Sequence, residues 1–153
     1  MNNPQTATPP GADFSGLAGS LPSSNYWSAS HFEDELEYVF RRAWINVCRE
    51  QQVPDAGSFL VQDLYALGTS VLIVRGADGV LRGFHNMCAH RGNRVEVEPS
   101  GRKGGFSCLF HGWTYDHRGR LVGVPQEHKF CDLDKSRNGL RPVHLDVWGG
   151  FVH

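Results

Sequence analysis

Between residues 58 and 64 apolar and polar positions alternate, and Phe59 and Val61, with Tyr65 beyond them, fall on one face of a predicted strand. Residues 70–75 form a second, rich in β-branched side chains. Ala77-Asp78-Gly79 predicts the hairpin turn into a third, residues 80–84. Upstream, residues 44–47 are apolar and β-prone, and Pro54 to Gly57 reads as a turn. Downstream, Val95 and Val97 alternate with Glu96 and Glu98. Short strands are then expected at 106–108, 113–115, 121–124 and 141–147, the last continued by Phe151 and Val152. Many short strands with frequent glycine turns predict a mainly β fold, a sandwich or barrel.

The helical period occurs near the N-terminus. Phe32, Leu36, Val39 and Phe40 share one face at that spacing. Ser30 is the expected N-cap, with Glu33 completing a capping box. Glu33, Asp34 and Glu35 suit the positive end of the helix dipole, and Arg41 and Arg42 the negative end. The pattern predicts a short surface helix packed on the β domain. Before it, Pro, Gly, Ser and Thr dominate and apolar residues are too few to offset chain entropy. The chain therefore divides into a disordered leader (1–28), a helix and first strand (29–50), and the β domain (51–153), with Tyr26 and Trp27 marking where the leader docks.

A length of 153 residues suits one domain with a real core. The 15 basic and 16 acidic residues nearly cancel, which points to neither nucleic acid nor a membrane surface as partner. Locally the balance shifts, with basic residues at 75, 82, 91, 94, 102, 103, 118 and 120. A solvated basic face is the simpler reading; a docking surface for an acidic electron donor is the sharper one. The longest apolar run, Val71-Leu72-Ile73-Val74, is far too short to span a bilayer. No basic residue precedes Arg41, so no secretory signal is read, and Arg41-Arg42 falls too late for a twin-arginine signal. A cytoplasmic location is expected. Of the cysteines, Cys48 sits in an apolar stretch and is expected buried, and Cys131 in a loop. A disulfide between them is disfavoured in a reducing compartment.

The other two cysteines carry the candidate chemistry. Cys88-Ala89-His90 and Cys108-Leu109-Phe110-His111 each pair one thiolate with one imidazole, and 17 residues separate His90 from Cys108. A Rieske [2Fe-2S] cluster needs two thiolates on one iron and two imidazoles on the other. Two loops, each giving one ligand to each iron, meet that demand. Gly92 and Gly112, close behind the histidines, permit tight turns that aim backbone N–H groups at sulfur. A Cys2His2 zinc site is the rival reading, although such sites usually group cysteine with cysteine and histidine with histidine. Iron content and visible absorption separate the two. His31, His85, His117, His128, His144 and His153 have no paired spacing and are read as surface or core.

With histidine on one iron, the oxidised cluster is formally neutral, whereas four thiolates would leave it doubly negative, so its potential is higher than that of plant-type clusters. High-potential respiratory Rieske proteins resemble one another in a serine two residues after the second histidine and in two further cysteines tying the loops. Here Trp113 stands at that position and the extra cysteines are missing, while Tyr115 keeps an aromatic hydroxyl. A potential of roughly −150 to 0 mV is expected, low in the Rieske range. Arg91 and Trp113 are expected to surround the ligands.

The chain resembles the N-terminal Rieske part of the alpha (large) subunit of aromatic ring-hydroxylating oxygenases. The resemblance covers residues 30–153 and rests on 86–92 (Asn-Met-Cys-Ala-His-Arg-Gly) and 108–116 (Cys-Leu-Phe-His-Gly-Trp-Thr-Tyr-Asp). It also rests on Gly119-Arg120-Leu121 with Pro125, and on Trp148-Gly149-Gly150-Phe151. It implies a Rieske domain preceded by a short helix, with Cys88, His90, Cys108 and His111 as cluster ligands. It also implies a following catalytic domain with a mononuclear Fe(II) on two histidines and a carboxylate, for which no residues stand here. Such a subunit takes electrons from a reductase or ferredoxin, and His111 would face the mononuclear iron of a neighbouring subunit in a homo-oligomer. The abrupt end at His153 reads as a truncation ahead of that domain, so the chain alone is expected to pass electrons and turn over no substrate. The alternative is a stand-alone Rieske ferredoxin without catalysis.

Overall fold

The computed structural model describes Gly19 and residues 22–153, so most of the expected leader lies outside the described residues. At its centre is a five-stranded antiparallel sheet in the order β5-β2-β3-β4-β9, where β2 is Ser58–Leu64, β3 Thr69–Arg75, β4 Leu81–His85, β5 Ser100–Arg102 and β9 Pro142–Val143. Register explains its burial. Phe59 lies opposite Val74, Val61 opposite Leu72, and Leu72 opposite Phe84, so these side chains share one face. Leu60 lies opposite Ile73 and faces the other way. Residues 71–74 are therefore buried on both sides, which is why they read as a continuous apolar run.

A three-stranded sheet covers the first face: β6 (Phe106–Ser107), β7 (Thr114–Tyr115) and β8 (Leu121–Gly123). Phe106, Tyr115 and Leu121 point inward with Phe59, Leu72, Val74 and Phe84, and the rings of Phe59 and Phe106 meet edge to face at 5.4 Å. Each such buried side chain contributes about 1.5–3 kcal/mol. The second face packs on β1 (Cys48–Arg49), β11 (Phe151–Val152) and β10 (Val147–Trp148). Cys48, Val53, Leu60, Ile73 and Val152 form that second core, and Cys48 is a buried free thiol as expected.

Several local expectations are corrected. The helix α1 is Ala29–Glu35 and its N-cap is Ser28, whose Oγ accepts the His31 N–H, so Ser30 and Glu33 form no capping box. The helix then widens into a π-turn, Leu36–Phe40, closed by the Arg41 N–H on the Leu36 carbonyl. Widening rotates the face set by a 3.6-residue period; Phe32, Val39 and Phe40 stay exposed, and so do Tyr26 and Trp27. Residues 44–46 join no ladder; Val47 N–H donates to the Val152 carbonyl at 2.9 Å, and the first strand begins at Cys48. Tyr65 leaves the face of Phe59 and is exposed on a turn that closes with Gly68.

The alternation at 95–98 builds no strand because side chains take the backbone donors. Asn86 Oδ1 accepts the N–H of Val95 and Glu96, and Glu96 Oε1 accepts those of Val97 and Glu98. The late strand expected at 141–147 is two pieces. Pro142–Val143 pairs with β4, and Val147–Trp148 pairs with β11 in a different sheet.

Candidate metal centre

Two loops between the central sheet and the β6-β7-β8 sheet carry the four candidate ligands. The first leaves the end of β4 through Asn86. That residue is buried, and besides accepting from Val95 and Glu96 it donates through Nδ2 to the Glu96 carbonyl at 2.8 Å. Both ends of the loop are thus fixed to one side chain. The second loop runs from β6 to β7, whose Phe106–Tyr115 pairing sets its width.

The loops share a backbone construction. In the first, Cys88 N–H donates to the Asn93 carbonyl at 2.8 Å and Gly92 N–H to the Cys88 carbonyl at 2.9 Å. In the second, Cys108 N–H donates to the Trp113 carbonyl at 2.9 Å and Gly112 N–H to the Cys108 carbonyl at 2.8 Å. Both glycines have φ near +70°, the left-handed region in which a side chain is strained. At Gly112 a Cβ would also lie 2.8 Å from Pro125.

Cys88 and Cys108 are buried in the same packed cluster, and each thiol acts on the other's ionisation. Burial pushes the Cys88 thiol up. The same burial acts on Cys108 but is outweighed by the N–H groups of Phe110 and His111, so Cys108 is held below the usual thiol range. The Tyr115 hydroxyl lies 3.2 Å from Cys88 Sγ and accepts the Ala89 N–H at 3.1 Å. Burial and the Cys88 sulfur push that phenol far up, so it stays protonated and donates to sulfur.

The imidazoles of His90 and His111 meet edge to face with centroids 4.7 Å apart. Burial, then His111 and Arg91, hold His90 below the usual imidazole range, which keeps it a neutral nitrogen donor. Its Nδ1 is buried without a hydrogen-bond partner. Such an orphan is costly unless something coordinates it. Sulfur thus stands with sulfur and imidazole with imidazole, and this donor set fits a two-iron cluster with one pair on each iron. Among the described residues no three His, Cys, Asp or Glu side chains gather as the ligands of a single ion would.

Aromatic residues wall one side. Trp113 stacks on His90, and Phe130 meets both rings edge-on at 5.9 and 5.8 Å. His111 is exposed, as are Leu109 and Phe110 beside it. Trp113 lies where the sequence suggested, whereas Arg91 is exposed. Phe130 and Asn93 carried no signal in the sequence, since neither lies in a ligand motif. The other histidines serve elsewhere: His85 Nδ1 meets Thr69 Oγ1, and His117 Nε2 meets the Lys103 carbonyl. Of the eight basic residues between 75 and 120, Arg75, Arg82, Arg94, Lys103, Arg118 and Arg120 are salt-bridged to Glu50, Asp78, Asp63, Glu96, Asp78 and Asp116. The expected basic face is therefore largely neutralised within the domain. Among the described residues no helix is long and apolar enough to cross a membrane.

Comparison with known proteins follows the same lines. The Rieske [2Fe-2S] domain family matches residues 43–142. The biphenyl dioxygenase alpha subunit of Paraburkholderia xenovorans is 41% identical over 142 residues, covering 88% of this chain and 30% of that protein. The glycine betaine monooxygenase oxygenase subunit of Pseudomonas aeruginosa is 33% identical over 133 residues, covering 87% of this chain and 30% of the relative. The crystal structure of naphthalene 1,2-dioxygenase from Rhodococcus superimposes with a TM-score of 0.80 at 32% identity, covering 86% of this chain and 30% of that one. The chain spans about a third of the relatives it matches.

Proposed function

The chain belongs to the Rieske [2Fe-2S] domain family, and on that premise we propose that Cys88, His90, Cys108 and His111 hold the cluster of an oxygenase alpha subunit. When bound, the cluster accepts and gives up one electron at a time. The observation that carries the assignment is the paired arrangement of the donors, sulfur beside sulfur and imidazole beside imidazole, with His90 Nδ1 left as a buried orphan.

The chain's own residues then have distinct tasks. Cys88 and Cys108 supply the thiolates, and backbone N–H groups of His90, Phe110 and His111 donate to them. Tyr115 adds an O–H to Cys88. These donors favour the more negative, reduced state. Trp113 and Phe130 exclude water from the His90 side, while the exposed His111 is the side from which an electron leaves.

The destination is a mononuclear iron outside the described residues, and the electron source a reductase or ferredoxin. The matched relatives include a biphenyl dioxygenase subunit and a glycine betaine monooxygenase subunit. The aromatic-ring class is favoured here by the higher identity to the biphenyl enzyme.

The test is the purified chain itself. Iron and acid-labile sulfide at about two each per chain, with a Rieske-type EPR signal on reduction, are expected. Colourless protein carrying zinc overturns the assignment. Substitution of His111 by Cys is expected to keep a cluster but lower its potential, because a thiolate adds negative charge.

A further inference from the structure

Asn93 and Trp113 hold the same place in the two ligand loops. Each stands five residues after its loop's cysteine and accepts that cysteine's N–H through its own carbonyl. The glycine four residues after each cysteine closes the same turn at the same positive φ. The loops are thus backbone repeats, although histidine falls two residues after Cys88 and three after Cys108.

From these matched positions both side chains cross to the opposite loop. Trp113 reaches back and stacks on His90. Asn93 reaches forward, and its Nδ2 lies 3.8 Å from Cys108 Sγ while also meeting the Arg94 carbonyl at 3.1 Å. The sulfurs show the same reciprocity. Cys88 of the first loop receives the hydroxyl of Tyr115, which lies beyond the second loop. Among the described residues Asn93 is the side-chain donor that Cys108 receives from the first.

We propose that Asn93 is a positioning residue for the cluster, its side-chain amide bracing Cys108 across the loops as Tyr115 braces Cys88 and raising the reduction potential. The inference rests on the ligand assignment above. An N–H dipole aimed at a thiolate stabilises negative charge on the cluster and so favours reduction. At 3.8 Å against 3.2 Å for Tyr115, and on an exposed residue, the amide has the smaller effect. No other group need move when it is removed, because the Cys88 hydrogen bond uses the Asn93 backbone and not its side chain.

The experiment is an EPR-monitored redox titration of the cluster-loaded wild type, Asn93→Ala, Tyr115→Phe and the double variant. A downward shift of the midpoint is expected in Asn93→Ala, smaller than that of Tyr115→Phe, with the two adding in the double variant. A bracing role confined to the Arg94 carbonyl would lower thermal stability and leave the midpoint unchanged; that result overturns the inference. Pulsed EPR on reduced wild type carrying 15N in asparagine side-chain amides gives a reading that needs no variant. A weakly coupled 15N at the cluster is expected, and its absence counts against the inference even if Asn93→Ala fails to load. Wild-type protein that binds no iron–sulfur cluster overturns the ligand assignment and this inference with it, whereas a normal Rieske signal with an unmoved midpoint overturns this inference alone.

Discussion

The indole of Trp113 lies nearly parallel to the imidazole of His90, with centroids 4.8 Å apart and 9° between the planes. The contact joins the second ligand loop to the first and makes the two histidines unequal. One is roofed by aromatic rings, and the other faces solvent.

Removing that roof is costly. Trp113 is buried and touches both His90 and Phe130. Trp113→Ala is expected to lose about 3–5 kcal/mol, the usual range for truncating a large buried aromatic, and to lose iron faster under chelator. Trp113→Phe keeps a stacked ring and should retain most of both. Urea unfolding and the rate of bleaching with chelator check this; equal bleaching in the wild type and Trp113→Ala would contradict it.

Tyr115 sets an electronic expectation. Its hydroxyl is the nearest side-chain donor to Cys88, so Tyr115→Phe should lower the midpoint potential by an amount on the order of tens of millivolts, a tenfold change in a one-electron equilibrium being about 59 mV. The wild-type value itself is expected at roughly −150 to 0 mV. Redox titration followed by circular dichroism measures both, and a wild-type midpoint above about +200 mV would contradict the oxygenase-type reading.

Glu96 gives the fold an acid-sensitive support. Its carboxylate is buried, meets Lys103 Nζ at 2.6 Å, and accepts two backbone N–H groups beside the first ligand loop. Burial would raise its pKa, but Lys103 and the two N–H groups outweigh that and hold it below the usual carboxylate range. A folded pKa below the unfolded one means the contribution is complete above the unfolded value, about 4.3, and is lost as pH falls through the lower folded value. Glu96→Gln should therefore be less stable than the wild type at pH 7, by about 1–3 kcal/mol, and the difference should shrink on acidification. Unfolding at a series of pH values, followed by tryptophan fluorescence, decides it; a gap that widens toward acid would sink the idea.

Gly119 tests the packing between the loops and the sheet. Its φ is +75°, and a Cβ there would clash with the Phe84 ring. Gly119→Ala combines a left-handed backbone with a clash and is expected to cost about 2–4 kcal/mol. A melting temperature equal to that of the wild type would show that Phe84 moves aside freely.

The grouping of the four candidate ligands was more legible in the sequence than the fold around them. The ligand spacing and the glycines behind it are local properties, and local properties can be read from residue order. The central strands were legible for the same reason, their apolar runs being long and bounded by turns. What failed depended on distant partners. Residues 95–98 alternate like a strand, but the Asn86 and Glu96 side chains take the backbone donors a ladder would use. The helix pattern at Phe32 to Phe40 was real, yet a π-turn broke its phase. The basic stretch looked like a surface field until six of its eight cations were placed beside acids. Asn93 and Phe130 reach the site only through loop geometry, which no spacing rule carries.

Strand β3, buried on both faces, separates two packed compartments. Cys88 and Cys108 belong to the compartment on one side, and Cys48, Val53 and Val152 to the one on the other. The two can therefore be repacked separately. A substitution among Cys48, Val53 and Val152 reaches the loops of Cys88 and Cys108 only through the thickness of a single strand, so the sheet acts as a mechanical partition.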